Sequence, residues 1–398
     1  MKVNPGGIVA PSDALGRDAL IKRLWKRLEK QGLILSAERR MGKTTILKKM
    51  AAEPKPDFRL IYHDLERCAD TADFASRVTS DVDTCLTRGQ STKEALRNFW
   101  REIGGTEVGG VLRLPQSQSA RWGDVLERGF ALLSESLKSK PDEFTVLAWD
   151  EFPLMLKKIA SREGATHAMD VLDRLRALRN SHPQIRLIFT GSIGLHHVIS
   201  NLREQDYPNS PKNDMYTVEI PPLARKDAVE LAKRLIQGEQ LGDDPNDACA
   251  QAIADSVDCF AFYIHHLVDA MVDQDLAPTP ETAHELVDVA IIDPVDRWEL
   301  RNYRERLDSY YGALAGVASL TLDLIAEQQP VALEELLTKL RLRGTNRLNA
   351  AGRAMLEEGE DGLRKLLWRL LQDHYLLREA DGGYRFRFEV IRRWWLLK

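Results

Sequence analysis

Apolar residues recur with a helical period over residues 12–31, where Leu20, Ile21, Leu24, Trp25 and Leu28 form one stripe and Ser12 or Asp13 can cap the start. A short apolar run, Leu33-Ile34-Leu35, predicts a first strand, and Leu60-Ile61-Tyr62-His63-Asp64 a second. From 74 to 137 the pattern is mostly helical and polar. It breaks at Gly104-Gly105 and Gly109-Gly110, where a loop or an irregular insert is expected. Phe144-Thr145-Val146-Leu147-Ala148-Trp149 is unbroken; a run without alternation suits a strand covered on both faces of a parallel sheet. A helix containing Met169 to Arg176 leads to Ile185-Arg186-Leu187-Ile188-Phe189-Thr190, a fourth strand ending at Gly191-Ser192. Tyr216-Thr217-Val218-Glu219-Ile220 is a fifth, stopped by Pro221-Pro222. Strands alternating with helices imply a parallel, doubly wound sheet.

Beyond the fifth strand the grammar changes. Residues 223–295 read as helical throughout, with apolar faces built from Leu231, Leu235, Ile253, Val257, Phe262, Ile264 and Leu267. Helical runs over 314–328, 333–340 and 362–373 follow. Then two short β-prone runs, Tyr375-Leu376-Leu377-Arg378-Glu379 and Tyr384-Arg385-Phe386-Arg387-Phe388, flank Ala380-Asp381-Gly382-Gly383 and form a hairpin. Three helices and a hairpin wing are the winged-helix order. A last amphipathic helix, with Trp394 and Trp395, closes on the wing. The expected division is 1–221, 222–300 and 301–398.

The first strand runs into Ala37-Glu38-Arg39-Arg40-Met41-Gly42-Lys43-Thr44-Thr45, and a helix follows. Strand, loop and helix are the context of a phosphate-binding loop, in which backbone N–H groups and the helix N-terminus converge on phosphates. Arg40, Met41, Gly42, Lys43, Thr44 and Thr45 are therefore the candidate nucleotide contacts. Lys43 supplies a point charge to the β- and γ-phosphates, and the Thr44 hydroxyl holds Mg²⁺. The usual pattern opens with glycine five residues before the Gly-Lys pair, and Ala37 stands there; a Cβ is tolerated if the backbone needs no positive φ. Asp150 and Glu151 end the third core strand, where open α/β sheets bind ligands. Asp150 is the second candidate metal residue and Glu151 the candidate general base. Their alternative role is to cap the following helix.

Composition narrows the picture modestly. The chain has 398 residues and a formal net charge of −4, so no global basic field points to nucleic acid. Cys68, Cys85, Cys249 and Cys259 have no metal-type spacing, and the first residues lack the apolar core of a signal peptide. No run approaching the roughly 20 apolar residues of a membrane span is evident. A reduced, cytoplasmic chain away from membranes is expected.

The chain resembles the signal-transduction ATPases of the STAND class, in the branch called archaeal-type ATPases, which are kin to the origin-recognition ATPases of the AAA+ assembly. The resemblance is carried by Leu15-Gly16-Arg17-Asp18, by Arg39 to Thr44, by Asp150-Glu151-Phe152, by Thr190 to Leu195 and by Pro222-Leu223 with Asp227 to Leu231. It implies an α/β P-loop NTPase sheet, AAA+-like and of the additional-strand type, with a helical lid and a C-terminal winged-helix domain. It places the Gly-Arg-acidic entry, Leu15-Gly16-Arg17-Asp18, near the adenine. The family's lid carries Gly-x-Pro where this chain has Cys259-Phe260-Ala261.

Ser192 follows the fourth strand and is a candidate γ-phosphate sensor that orients the attacking water; its alternative is a helix cap. Arg39 and Arg40 touch phosphates or a neighbouring subunit, or are solvated. Arg176, Arg179 and Arg203 are candidates for an arginine acting in trans. His265 is read as a structural histidine, with nucleotide contact the minor alternative. Arg364, Lys365, Arg369, Arg385 and Arg387 are the basic residues by which the winged helix could hold DNA, but residues 311–398 contain 14 Lys and Arg against 12 Asp and Glu. A protein contact is favoured over DNA. The expected function is an ATP-dependent molecular switch that binds ATP with Mg²⁺, hydrolyses it slowly, and controls self-association or a partner effector. The rival is a DNA-binding loader or remodeller of AAA+ type. A third reading is a nucleotide-binding scaffold with little turnover.

Overall fold

The computed structural model describes residues 1–6, 9–86, 90–102, 106–108, 111–113, 121–344 and 347–397. Two compact units result: Val9–Pro221, and Met1–Ile8 together with Pro222–Lys398.

The first unit is built on strands β1 (Leu33–Ser36), β2 (Phe58–Asp64), β5 (Phe144–Asp150), β6 (Ile185–Phe189) and β7 (Tyr216–Glu219), with a small antiparallel hairpin, β3 (Thr106–Val108) and β4 (Val111–Arg113), between the second and third of these. The five strands are all parallel, in the order β2-β5-β6-β1-β7. β6 therefore lies between β1 and β5, which is the additional-strand arrangement. Helices α1 (Asp18–Leu28), α2 (Lys43–Ala52), α3 (Thr71–Cys85), α4 (Gln90–Glu102), α5 (Trp122–Leu137), α6 (Phe152–Arg162), α7 (Ala165–Ser181) and α8 (Leu195–Arg203) accompany the sheet. Six of the seven residues of β5 are buried, as its unbroken apolar run requires. Phe152 stacks on Phe189 with ring centroids 4.0 Å apart, and Phe74 meets Trp149 edge-on at 5.2 Å. This aromatic cluster fixes the corner between β5 and α6 that carries Asp150 and Glu151. Burying rings of this size stabilises the corner by about 3–5 kcal/mol each, measured against alanine.

The expected helix over 12–31 is shorter in the structure: a 3₁₀ turn at Pro11–Asp13 precedes α1, and Gly16 between them has φ 71°. All five stripe residues are buried. Gly104, Gly105, Gly109 and Gly110, where an irregular insert is expected, lie outside the described residues.

The second unit contains α9 (Arg225–Glu239), α10 (Ala248–Ser256), α11 (Ala261–Asp273), α12 (Pro280–Ile292), α13 (Asn302–Tyr311), α14 (Ala315–Glu327), α15 (Leu333–Gly344), α16 (Ala350–Glu357) and α17 (Glu360–Gln372), then the wing strands β8 (Leu376–Arg378) and β9 (Tyr384–Phe386), and α18 (Glu389–Leu396). Val331 bridges to Tyr384, giving the wing a third edge between α14 and α15. Helix α16 was not expected. It spans eight residues, is capped by Asn349 and buries only Gly352, Met355 and Leu356, too little for a visible period. The run Asn302–Glu327 is long and apolar enough by composition to cross a membrane, but it is broken by a 3₁₀ turn at Gly312–Leu314 and 56% of its most apolar stretch is buried in this unit. Asp258 ties α10 to α18 by accepting the Val390 N–H at 2.8 Å, and Phe260 meets Phe388 edge-on.

The first residues of the chain pack on this same unit. Lys2 pairs with Glu239 at 3.0 Å, and Asn4 N–H donates to Nδ1 of His265 at 3.2 Å. His265 is buried, so it serves as a structural acceptor, and burial pushes its pKa down to about 4 from 6.5. Between those values the unfolded chain binds a proton that the folded chain refuses, so stability falls as pH drops through this window, by up to about 1.4 kcal/mol per pH unit. His265→Gln keeps an acceptor without the titration. Denaturant unfolding at pH 7 and pH 5 is expected to give a smaller loss for this variant than for the wild type.

Candidate active site

The loop after β1 closes on Gly42, whose φ of 83° is left-handed; a side chain there would be strained whatever the space around it. Helix α2 starts at the next residue, and the first N–H groups of a helix have no intrahelical partner, which aims those of its first turn at whatever the loop encloses. Ala37 is absent from the positive-φ positions of the chain, so its Cβ is accommodated where the usual pattern has glycine. Arg40 is left-handed at φ 66°, a conformation that costs about 1–3 kcal/mol in a non-glycine residue and that recurs at ligand clamps. Met41 is buried, and Arg39, Arg40 and Thr45 are half-buried.

Lys43 is 9% exposed and folds back over its own loop, donating to the carbonyls of Ala37 at 3.0 Å and Glu38 at 3.1 Å. Its ammonium is thus held at the loop's centre by groups that a phosphate could replace. The Thr44 hydroxyl donates to Oδ2 of Asp150 at 2.6 Å. Tyr62 reaches the same oxygen at 3.4 Å, and Oδ1 accepts the Glu151 N–H at 3.0 Å. Thr44 and Asp150 offer two hard oxygens side by side, a donor set that suits Mg²⁺.

Glu151 sits at φ 53°, again left-handed, at the N-cap of α6, yet its side chain makes no cap bond. It turns to Ser192, whose backbone N–H donates to Oε1 at 2.9 Å and to Oε2 at 3.1 Å, and whose hydroxyl donates to Oε2 at 2.8 Å. Ser192 does not cap α8 either; that helix begins after Gly194 with no side-chain cap. Burial raises the Glu151 pKa and Asp150 adds to this, while the Ser192 bonds and Lys43 oppose it; the balance lies above 4.5. Gly191 is required by packing. A Cβ there would stand 2.9 Å from Pro153 Cδ and 3.3 Å from Glu151 Oε2.

Two residues emerge that the sequence did not single out for these roles. Thr190 is 2% exposed at the end of β6, and its hydroxyl has no hydrogen-bond partner. A buried orphan hydroxyl is a place for a polar ligand atom or a water; its signal in the sequence was only a β-branched residue ending an apolar run. Arg17, expected near the adenine, is 6% exposed and donates to Met41 O and to Pro221 O, both at 2.8 Å. It clamps the loop after β1 to the last residue of this unit.

The candidate trans arginines separate. Arg179 is buried in a bidentate pair with Asp214 at 2.7 and 2.8 Å, with a further bond to Pro211 O. It holds the segment ahead of β7 and is committed to structure, whereas Arg203 is exposed and Arg176 half-buried.

No protein-family model matches the chain, and no curated protein matches it. Among solved structures it is similar to a Walker-type ATPase of Pyrococcus abyssi, with a TM-score of 0.61 and 17% identity over 96% of each chain. It also aligns with the RuvB Holliday junction branch migration motor of Thermotoga maritima (TM-score 0.40, 15% identity, covering 93% of this chain and 91% of that one) and with the ORC2 protein of Aeropyrum pernix (TM-score 0.45, 14% identity, 97% and 93%). The first likeness, spanning both chains almost completely, together with the parallel β2-β5-β6-β1-β7 sheet, gives this chain the P-loop fold of that Walker-type ATPase.

Proposed function

We propose that this chain is an ATP-dependent molecular switch, which binds ATP with Mg²⁺, hydrolyses it slowly and uses the change to control self-association or a partner effector, as in signalling or defence. The observation that carries the reading is the convergence of Lys43, Thr44, Asp150 and Glu151 at the carboxyl ends of β1 and β5, with Thr44 2.6 Å from Asp150. Lys43 exchanges its two carbonyl partners for phosphate oxygens. Thr44 and Asp150 hold the Mg²⁺, which supplies charge neutralisation at the phosphates. Glu151 takes the proton of the attacking water, helped by a pKa above the ordinary glutamate range. Thr190 and Ser192 orient that water. The three hydrogen bonds from Ser192 occupy most of the lone-pair sites of Glu151 and weaken it as a base, which fits slow turnover. The reading is tested by ATP hydrolysis and by particle mass with ADP and with a non-hydrolysable ATP analogue; no binding and no change of mass would sink it.

DNA loading is disfavoured by the state of the basic residues. Arg364 pairs with Glu360 and Lys365 with Glu358, each at 2.8 Å. Arg369 donates to Tyr310 O at 2.8 Å, Arg385 pairs with Glu379, and Arg387 lies over Phe388. Each cation thus has a partner within its own unit, so a DNA phosphate would have to compete with a contact already made. Expected affinity for duplex DNA is non-specific, about 10⁻⁴–10⁻⁶ M at physiological salt. Replacing Arg364, Lys365 and Arg369 together with Ala should leave ATP binding intact. Nanomolar, sequence-selective binding that the triple variant loses would favour the loader.

A further inference from the structure

We propose that Tyr62 is a positioning residue that fixes the Asp150 carboxylate for a divalent cation. The inference rests on the reading of Thr44 and Asp150 as the Mg²⁺ pair. β2 and β5 are neighbours in the sheet, with Tyr62 opposite Ala148 and Asp64 opposite Asp150. Side chains two residues apart share a face, so Tyr62 stands on the same face as Ala148 and Asp150. Ala148 is a fully buried methyl, which leaves room for the phenol ring to lie along the strand toward Asp150. On its other side the ring faces α2, with Lys48 Nζ 5.6 Å from its centre. The hydroxyl reaches Oδ2 at 3.4 Å, where Thr44 already donates at 2.6 Å, and Glu151 N–H holds Oδ1 at 3.0 Å.

The carboxylate is therefore oriented from three elements: α2, β2 and the corner between β5 and α6. Thr44 is the one among these donors whose oxygen is also needed by the metal. A second hydroxyl on Oδ2 keeps the carboxylate in place while Thr44 adjusts. Phenylalanine would fill the same space and lose only this restraint.

The test is calorimetric binding of a non-hydrolysable ATP analogue in EDTA and in Mg²⁺, with the ratio of the two affinities as readout. Tyr62→Phe is expected to match wild type in EDTA and to show a Mg²⁺ gain smaller by about threefold to fivefold, the worth of one modest hydrogen bond. Asp150→Asn serves as the reference and should lose most of the gain. An unchanged gain in Tyr62→Phe, with the reference lost, overturns the role of Tyr62 alone. Weaker binding by Tyr62→Phe already in EDTA also overturns it, since the residue would then act on the loop as a whole. A full gain in Asp150→Asn overturns the Mg²⁺ pair itself, and the role of Tyr62 with it.

Discussion

Glu151→Gln is expected to bind ATP with nearly wild-type affinity and to hydrolyse it on the order of 10²–10³-fold more slowly, within the range that a general base contributes. The substitution keeps size and shape in a corner where Gly191 leaves no spare room, so the backbone of β5 and α6 should not move. It removes the acceptor for the water proton. It also alters the contact with Ser192: an amide offers one acceptor oxygen where the carboxylate accepts three hydrogen bonds. Single-turnover hydrolysis, measured beside equilibrium binding, separates the two effects. A rate equal to wild type would place the base elsewhere, and Thr190 with a bound water would be the next arrangement to examine. The wild type should also show its base in the pH profile. Burial raises the Glu151 pKa, so activity should decline with acidification at a higher pH than an ordinary glutamate would set.

The fold was legible because its strongest signals are long and buried. β5 reads as a strand from its uninterrupted apolar run, and the same run predicts that both its faces are covered. Short elements were not legible. α16 offers eight residues and two buried apolar side chains of any size, and the Val331 edge of the wing is a single residue. The site divides along similar lines. Gly42, Lys43 and Thr44 are adjacent in the chain, so their chemistry could be read from spacing. The partnership of Thr44 with Asp150 joins residues on separate elements, and that of Glu151 with Ser192 depends on side-chain rotamers, which no spacing encodes. Arg17 illustrates the limit of resemblance. Its Gly-Arg-acidic setting was recognisable, but its contacts with Met41 O and Pro221 O arise from where α1 packs. By sequence Arg179 is one more helix arginine near β6, and burial shows it committed to Asp214.

Lys43→Ala is expected to weaken ATP affinity by more than tenfold, at least about 1.4 kcal/mol. The argument begins with what the lysine does without nucleotide. Its ammonium is nearly buried and bonded to the carbonyls of Ala37 and Glu38, so it fills the space that the loop's backbone surrounds. Both of these carbonyls are neutral acceptors. Phosphate oxygens carry formal charge and offer stronger, charge-assisted hydrogen bonds, so exchange favours the nucleotide. Alanine removes that gain and leaves the two carbonyls without a donor. Each can be reached by water once the side chain is gone, so the folded loop should survive. Circular dichroism and thermal unfolding would confirm that the variant is folded. Calorimetry then decides the matter: equal ATP affinity in the folded variant and in wild type would show that this loop does not bind the phosphates. Binding that falls for ATP more than for AMP would locate the lost contact at the β- and γ-phosphates, as the proposed role of Lys43 requires.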